Sequence, residues 1–187
     1  MREHNRNDAT EAQWLAEYGE RMTERIWKAP TPGQLELRAI GRHINRLTCH
    51  RTRAKNELHA LLATETTSRL LIEDEEEAIA MFDKRIERFR AAGRELIAND
   101  PILSAQFGHM TAAPGMGDVS TLAVLAELTT LPATLKSAQV SRHAGLDVRV
   151  TQSGTSIDKP GRLSKSGNAY LRSAMFMPAM SAIRCDP

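Results

Sequence analysis

Apolar positions recur along this chain with a helical period over most of its length. From Gln34 onward, Leu37, Ile40, Ile44, Leu47, Arg51, Ala54, Leu58 and Leu61 alternate spacings of three and four, and Ile79, Phe82, Ile86, Phe89, Gly93 and Leu96 repeat the pattern. That alternation is the a/d seam of a coiled coil, so it predicts two long helices that each need a partner helix. Arg51 interrupts the first seam in the manner that sets register. The pair can form antiparallel within one chain or across two chains, and the pattern does not choose. Breaks frame both helices: "KAPTPG" at 28–33 precedes the first, and "TETTS" with the acidic run "EDEEE" at 73–77 lies between them. "ANDP" at 98–101 ends the second, because a residue before proline disfavours the helical region.

The segments on either side are shorter. Ala12, Leu15, Ala16 and Met22 predict a helix near the start, with Asp8 as its cap and Glu11 as the partner in a capping-box-like pair. Beyond residue 100 the pattern predicts short helices with glycine-rich joints, and only "GLDVRVTQ" at 145–152 has the character of a short strand. Pro114-Gly115-Met116-Gly117 is a tight turn, and a helix starts near Asp118 with Leu122, Leu125 and Leu128 on one face. Helix, P-G-x-G turn and helix make a helix-hairpin-helix-like element, in which backbone N–H groups near Gly115 and Gly117 take up a DNA phosphate. An ordinary glycine turn between packed helices has the same sequence. The expected fold class is therefore mainly α: a long coiled-coil helix pair followed by a small helical domain with the helix-hairpin-helix-like element.

Composition narrows the partners. Aromatic residues make up 4% of the chain against 41% apolar and 26% charged, so helix pairs and small residues must do most of the packing. The 187 residues can bury one good core, or two small ones joined by a long element. A formal net charge of +2 says little by itself, but its distribution is uneven. Residues 141–187 hold seven Lys/Arg against three Asp/Glu, and residues 35–63 hold six against two. Cys49 and Cys185 have no paired spacing, the start has no secretory pattern, and no apolar run is long enough to span a membrane, so the expected setting is cytoplasmic, away from membranes. The histidines fall in no zinc-ligand spacing.

Two stretches carry candidate chemistry. In "TQSGTSIDKPGRLSKSGNAYLR" at 151–172, Ser153, Gly154, Thr155 and Ser156 form an adaptable anion-binding turn, and Lys159, Arg162 and Lys165 follow, with Gly161 and Gly167 as hinges. Asn168 precedes a helix that carries Arg172 one turn in. Such a loop surrounds a phosphate with donors from two sides, and its cations stabilise the charge that develops if a serine attacks there. A flexible basic linker that only touches nucleic acid is the plainer alternative. Asp8 and Glu11, on one face of a helix start, suit either a shared Mg²⁺ or simple capping, and on residue chemistry alone capping is the better account.

The run "APGMGDVSTLAVLAEL…SAQVSRHAGLDVRVTQSGTSIDKPGRLSKSGNAYLRSAMFMPAM", spanning about 112–180, resembles the transposase domain of the insertion-sequence family named for elements 110, 116 and 902. "NDATEAQWLAEY" and the long helices resemble the segment that joins that family's two catalytic parts. The resemblance implies three regions: 1–33 as the C-terminal end of a RuvC-like nuclease domain, 34–100 as coiled-coil helices and 101–187 as the transposase domain. It implies Ser153 as the nucleophile toward DNA phosphate, and Asp8 and Glu11 as the last two of four acidic ligands for Mg²⁺. It also implies homo-oligomers through the coiled coil and a structured guide RNA from the element as a partner, whereas the phosphate contacts expected of Gly115, Gly117, Lys159, Arg162, Lys165 and Arg172 come from the chemistry of the turn and the loop. With no strand ahead of Asp8 to carry the other ligands, the chain is expected to be an internal piece of a transposase. Its expected function is then DNA transposition with its partners, or, alternatively, binding and oligomerising as an inactive remnant that modulates a full-length transposase.

Overall fold

The computed structural model describes residues 8–22, 29–64, 68–153 and 157–185, with the side chains of 150–159 outside the description. Among these residues the chain is mainly helical. The elements are α1 (Asp8–Arg21), α2 (Pro32–Leu62), α3 (Arg69–Ala98), α4 (Pro101–Thr111), α5 (Asp118–Leu128), α6 (Ser137–His143), β1 (Val148–Ser153), β2 (Ile157–Leu163) and α7 (Ala169–Cys185).

Local chemistry fixes the helix starts. Thr31 accepts a hydrogen bond from the Gln34 N–H at 3.2 Å while Gln34 accepts one from the Thr31 N–H at 2.9 Å, and Pro32 stands where the helix needs no donor. Asp100 likewise accepts from the N–H groups of Ile102 and Leu103 ahead of α4, with Pro101 in the first turn. At the start of the chain the reading is different. Asp8 and Glu11 both lie inside the first turn of α1, and the residue that would cap that helix is outside the described residues.

The two long helices pair antiparallel within the one chain, which is the choice the seam left open. His43 meets Phe89 edge-on at 4.4 Å, His50 stacks on Phe82, and Arg51 reaches Asp83 at 2.6 Å. Arg51 therefore marks the register by an ion pair across the seam. Leu37, Ile44, Leu47 and Ala54 are the buried residues of α2, and Ile86, Gly93 and Ile97 those of α3.

The core does not stop at the pair. Leu103 of α4 and Leu122, Leu125 and Ala126 of α5 join Leu37, Ile44, Leu47, Ile86 and Ile97 in one cluster. The boundary expected at residue 100 is thus a turn that the hydrophobic core crosses. Two glycines admit α5 to the long helices: a Cβ on Gly41 would stand 2.7 Å from Ala126 Cβ, and one on Gly93 would stand 3.0 Å from Leu122 Cδ1. A second cluster, Val124, Ala144 and Leu171, lies on the other side of α5 and seats α6 and α7. The far end of the hairpin stays open, with Leu62, Leu70 and Leu71 exposed.

β1 and β2 form a two-stranded antiparallel ribbon, more strand than the sequence pattern predicts. Only its first half matches the short strand expected at 145–152; β2, carrying Pro160 and Gly161, has no alternating apolar signal.

The helix crossing gives a paired expectation. Gly41→Ala should lower stability by about 1–3 kcal/mol, because overpacking exceeds the roughly 1 kcal/mol that alanine adds to a helix interior. Gly108→Ala in α4, where an added Cβ meets nothing within 4 Å, should raise stability by up to about 1 kcal/mol. Thermal unfolding of both variants checks the pair; two shifts of the same sign would contradict the packing at Gly41.

Candidate nucleic-acid interface

The segment from α5 to α7 is organised around one buried carboxylate. Glu127, 3% exposed, sits in an otherwise apolar stretch of α5. Arg42 of α2 donates to both of its oxygens, at 2.7 and 2.9 Å, and the Asn168 side-chain amide donates at 2.6 Å. Arg42 also lies over the Tyr170 ring at 4.7 Å, and Arg38 donates to Thr130 at 3.2 Å. Burial by itself raises a carboxyl pKa. Hydrogen bonds from Arg42 and Asn168, with the positive charges of Arg42 and Arg38, outweigh it and hold Glu127 below the ordinary glutamate range.

Asn168 does two jobs. Its amide nitrogen serves Glu127, while its oxygen accepts the Leu171 N–H at 3.1 Å and so caps α7. The strands of the ribbon enter and leave through a clamp next to it. The Asn168 N–H donates to His143 O at 2.7 Å, the Lys165 N–H to Gly145 O at 3.1 Å, and the Ser164 N–H to Asp147 O at 2.9 Å. The Ser164 hydroxyl also donates to the Asp147 carboxylate. Gly145, at φ 68°, lets this crossing close, since a Cβ there would meet Ser166 N at 2.8 Å. Gly167 is likewise a contact point, pressed on His143 O, where a hinge was expected.

The expected phosphate ligands separate. Arg162 and Lys165 are exposed, Lys165 with φ 52°. Arg172 is turned inward, donating to Ala144 O at 2.7 Å, and so it locks the clamp in place of facing solvent. Gly115, at φ 81°, is packed on α7, where an added Cβ would lie 2.5 Å from Pro178 O. Gly117 is exposed, caps α5 without a side-chain bond and has open space beside its Cα. Ser153 is the last residue of β1, paired with Ile157, and Lys159 lies in β2 opposite Thr151. The side chains of both are outside the description, and Gly154, Thr155 and Ser156 of the expected anion-binding turn lie outside the described residues.

Asp8 and Glu11, the expected magnesium ligands, are both in α1. They lie in the first turn of a helix that buries none of its residues. Among the described residues no three His, Cys, Asp or Glu side chains gather to hold a metal ion.

Residues 109–187, the segment that contains the capped α5, the ribbon and α7, match the sequence model of the Transposase IS116/IS110/IS902 family. Over these residues the chain is IS116/IS110/IS902 transposase-like. It is also 27% identical over 179 residues to the pilin gene-inverting proteins of Moraxella bovis and Moraxella lacunata, covering 94% of this chain and 52% of each relative. The chain thus spans about half the length of these relatives. Among its described residues no helix is long and apolar enough to cross a membrane. Glu127, Arg42 and Asn168 in its central network were not singled out by the sequence patterns as a unit. One signal was available: Glu127 is the lone acidic residue between Thr121 and Leu128 in an apolar run.

The network sets a pH dependence with a definite sign. A carboxyl whose folded-state pKa is depressed contributes stability above its unfolded value, near the ordinary 4.5, and loses it as pH falls through the lower folded value. Glu127→Gln should flatten that acid limb and cost roughly 3 kcal/mol at neutral pH, the low end for a broken buried pair because Arg42 is partly exposed. Urea unfolding at neutral and acid pH measures both effects; unchanged stability would remove Glu127 from its central place.

Proposed function

We propose that the chain is the transposase portion of a DNA recombinase, which binds duplex DNA and joins DNA strands through the Ser153 hydroxyl. The carrying observation is the coincidence of the family match with a two-stranded ribbon whose first strand ends at Ser153 and which bears the exposed cations Arg149 and Arg162. The names of the relatives, which describe inversion of a pilin gene, support rearrangement of DNA as the reaction class. In this reading the serine oxygen attacks a backbone phosphorus. One Ser–O–P bond forms, one P–O bond to deoxyribose breaks, and the sugar oxygen leaves with a proton as a hydroxyl. Phosphate is exchanged for phosphate, so no external energy source is required. Lys159, Arg162 and Lys165 balance the phosphate charge, and the exposed backbone at Gly117 offers N–H groups to a neighbouring phosphate.

A structured guide RNA is a second polyanion suited to the same basic surface. Homo-oligomers are supported by the open end of the α2–α3 hairpin, where Leu62, Leu70 and Leu71 are exposed together. The same surface supports the second reading, in which the chain joins a longer transposase and modulates it.

Three measurements test these readings. Incubation with duplex DNA should yield a covalent protein–DNA adduct that survives denaturation and is lost in Ser153→Ala; an equal adduct in the alanine variant would overturn the serine assignment. Retardation of duplex DNA should weaken steeply as salt rises, with log K falling linearly in log salt. Light scattering should find an oligomer that Leu70→Glu with Leu71→Glu reduces to the monomer, and a wild-type monomer would remove the hairpin tip as an assembly surface.

A further inference from the structure

The ribbon has an arrangement that folding alone does not favour. Among the described residues no helix packs extensively against β1 or β2, and an isolated two-stranded hairpin is marginal in water. Its register places Val148 opposite Leu163 and Arg149 opposite Arg162. Because side chains alternate along a strand, one face carries the apolar pair and the other the two arginines. Val148 and Leu163 are 61% and 47% exposed, and Arg149 and Arg162 are exposed as well. Directly opposed residues have Cβ atoms about 4.5–5.5 Å apart, at which distance like charges destabilise the pairing. Among the described residues no carboxylate forms an ion pair with either arginine.

We propose that Arg149 and Arg162 form a two-armed clamp for a backbone phosphate of duplex DNA. Arg149 is outside every contact that the sequence motifs predict, and the clamp depends on both strands. Its geometry follows from the register: Arg149 and Arg162 are direct partners just before the register shift between Arg149 and Thr151, so their side chains start from neighbouring positions on one face, within reach of a single phosphate with several acceptor oxygens. The bound anion converts their mutual repulsion into two attractions. The clamp base explains how the arms are aimed, since Asp147 with Ser164, and Gly145 with Lys165, hold the residues just outside the pair. The inference rests on the reading that DNA is the substrate, and it adds which face of the ribbon the DNA backbone meets.

The repulsion makes the test specific. Arg149→Gln and Arg162→Gln remove a charge from the pair, and Arg53→Gln, on α2 in an exposed ion pair with Glu57, changes net charge equally at a distant site. Fluorescence anisotropy with a labelled DNA duplex should show at least tenfold weaker binding for the double variant. The slope of log K against log salt should fall by about 1, the loss of one phosphate contact, while Arg53→Gln leaves it unchanged. Thermal unfolding without DNA should find Arg149→Gln at least as stable as the wild type, because removing one charge relieves the pair.

Wild-type protein that fails to bind the duplex sinks the parent reading. Wild type that binds, with the double variant equal to it or matched by Arg53→Gln, overturns the clamp alone. A lower melting temperature for Arg149→Gln assigns the arginine to the fold and also overturns it. Duplex RNA in place of DNA completes the test: loss of RNA binding with DNA binding intact means the clamp serves RNA, which contradicts the proposal as stated.

Discussion

A carboxylate buried in an apolar helix has to be answered by its surroundings, and Glu127 is answered from two directions. Arg42 comes from the long hairpin and Asn168 from the start of α7. Without Arg42 an unpaired charge would have stayed in the core, at a cost of several kcal/mol, and without Asn168 a buried carboxylate oxygen would have lost one of its donors. The hydrophobic contacts of α5 bring the helices together without specifying how they sit around one another. The hydrogen-bonded carboxylate does specify it, because its lone pairs accept only donors at the correct angle and distance.

The candidate interface inherits that placement. Asn168 is held by Glu127 on one side and caps α7 on the other, and its own N–H reaches His143 at the foot of the ribbon. The ribbon is therefore anchored at its base by hydrogen bonds at Asn168, Lys165 and Ser164. Among its residues with described side chains, Val148, Arg149, Arg162 and Leu163 are all exposed. Its alternation of an arginine pair and an apolar pair makes sense for an element that completes its contacts only when a polyanion arrives.

Parts of this site were legible in the residues. The concentration of Ser153, Lys159, Arg162 and Lys165 between glycines marked the segment, and Asn168 marked the helix start. Arg172 was legible as a cation but not as a structural one, because its use on Ala144 O depends on where α6 ends beside α7. Gly115 reads as a conformational glycine in sequence and is also a packing glycine in space, a distinction that only the approach of Pro178 reveals. Arg149 carried no motif at all. Its meaning comes from facing Arg162, which is a property of register.

The sequence by itself determined that this chain is helical, where its long helices begin and end, and which of their faces are apolar. These follow from periodicity, caps and prolines, all of which act within a few residues. Only the tertiary structure decided that the two seams close on each other, that α5 enters through Gly41 and Gly93, and that a basic loop becomes a paired ribbon. Those outcomes depend on contacts between residues far apart in the chain. Local pattern is blind to them, because the same apolar stripe serves equally well against any complementary face.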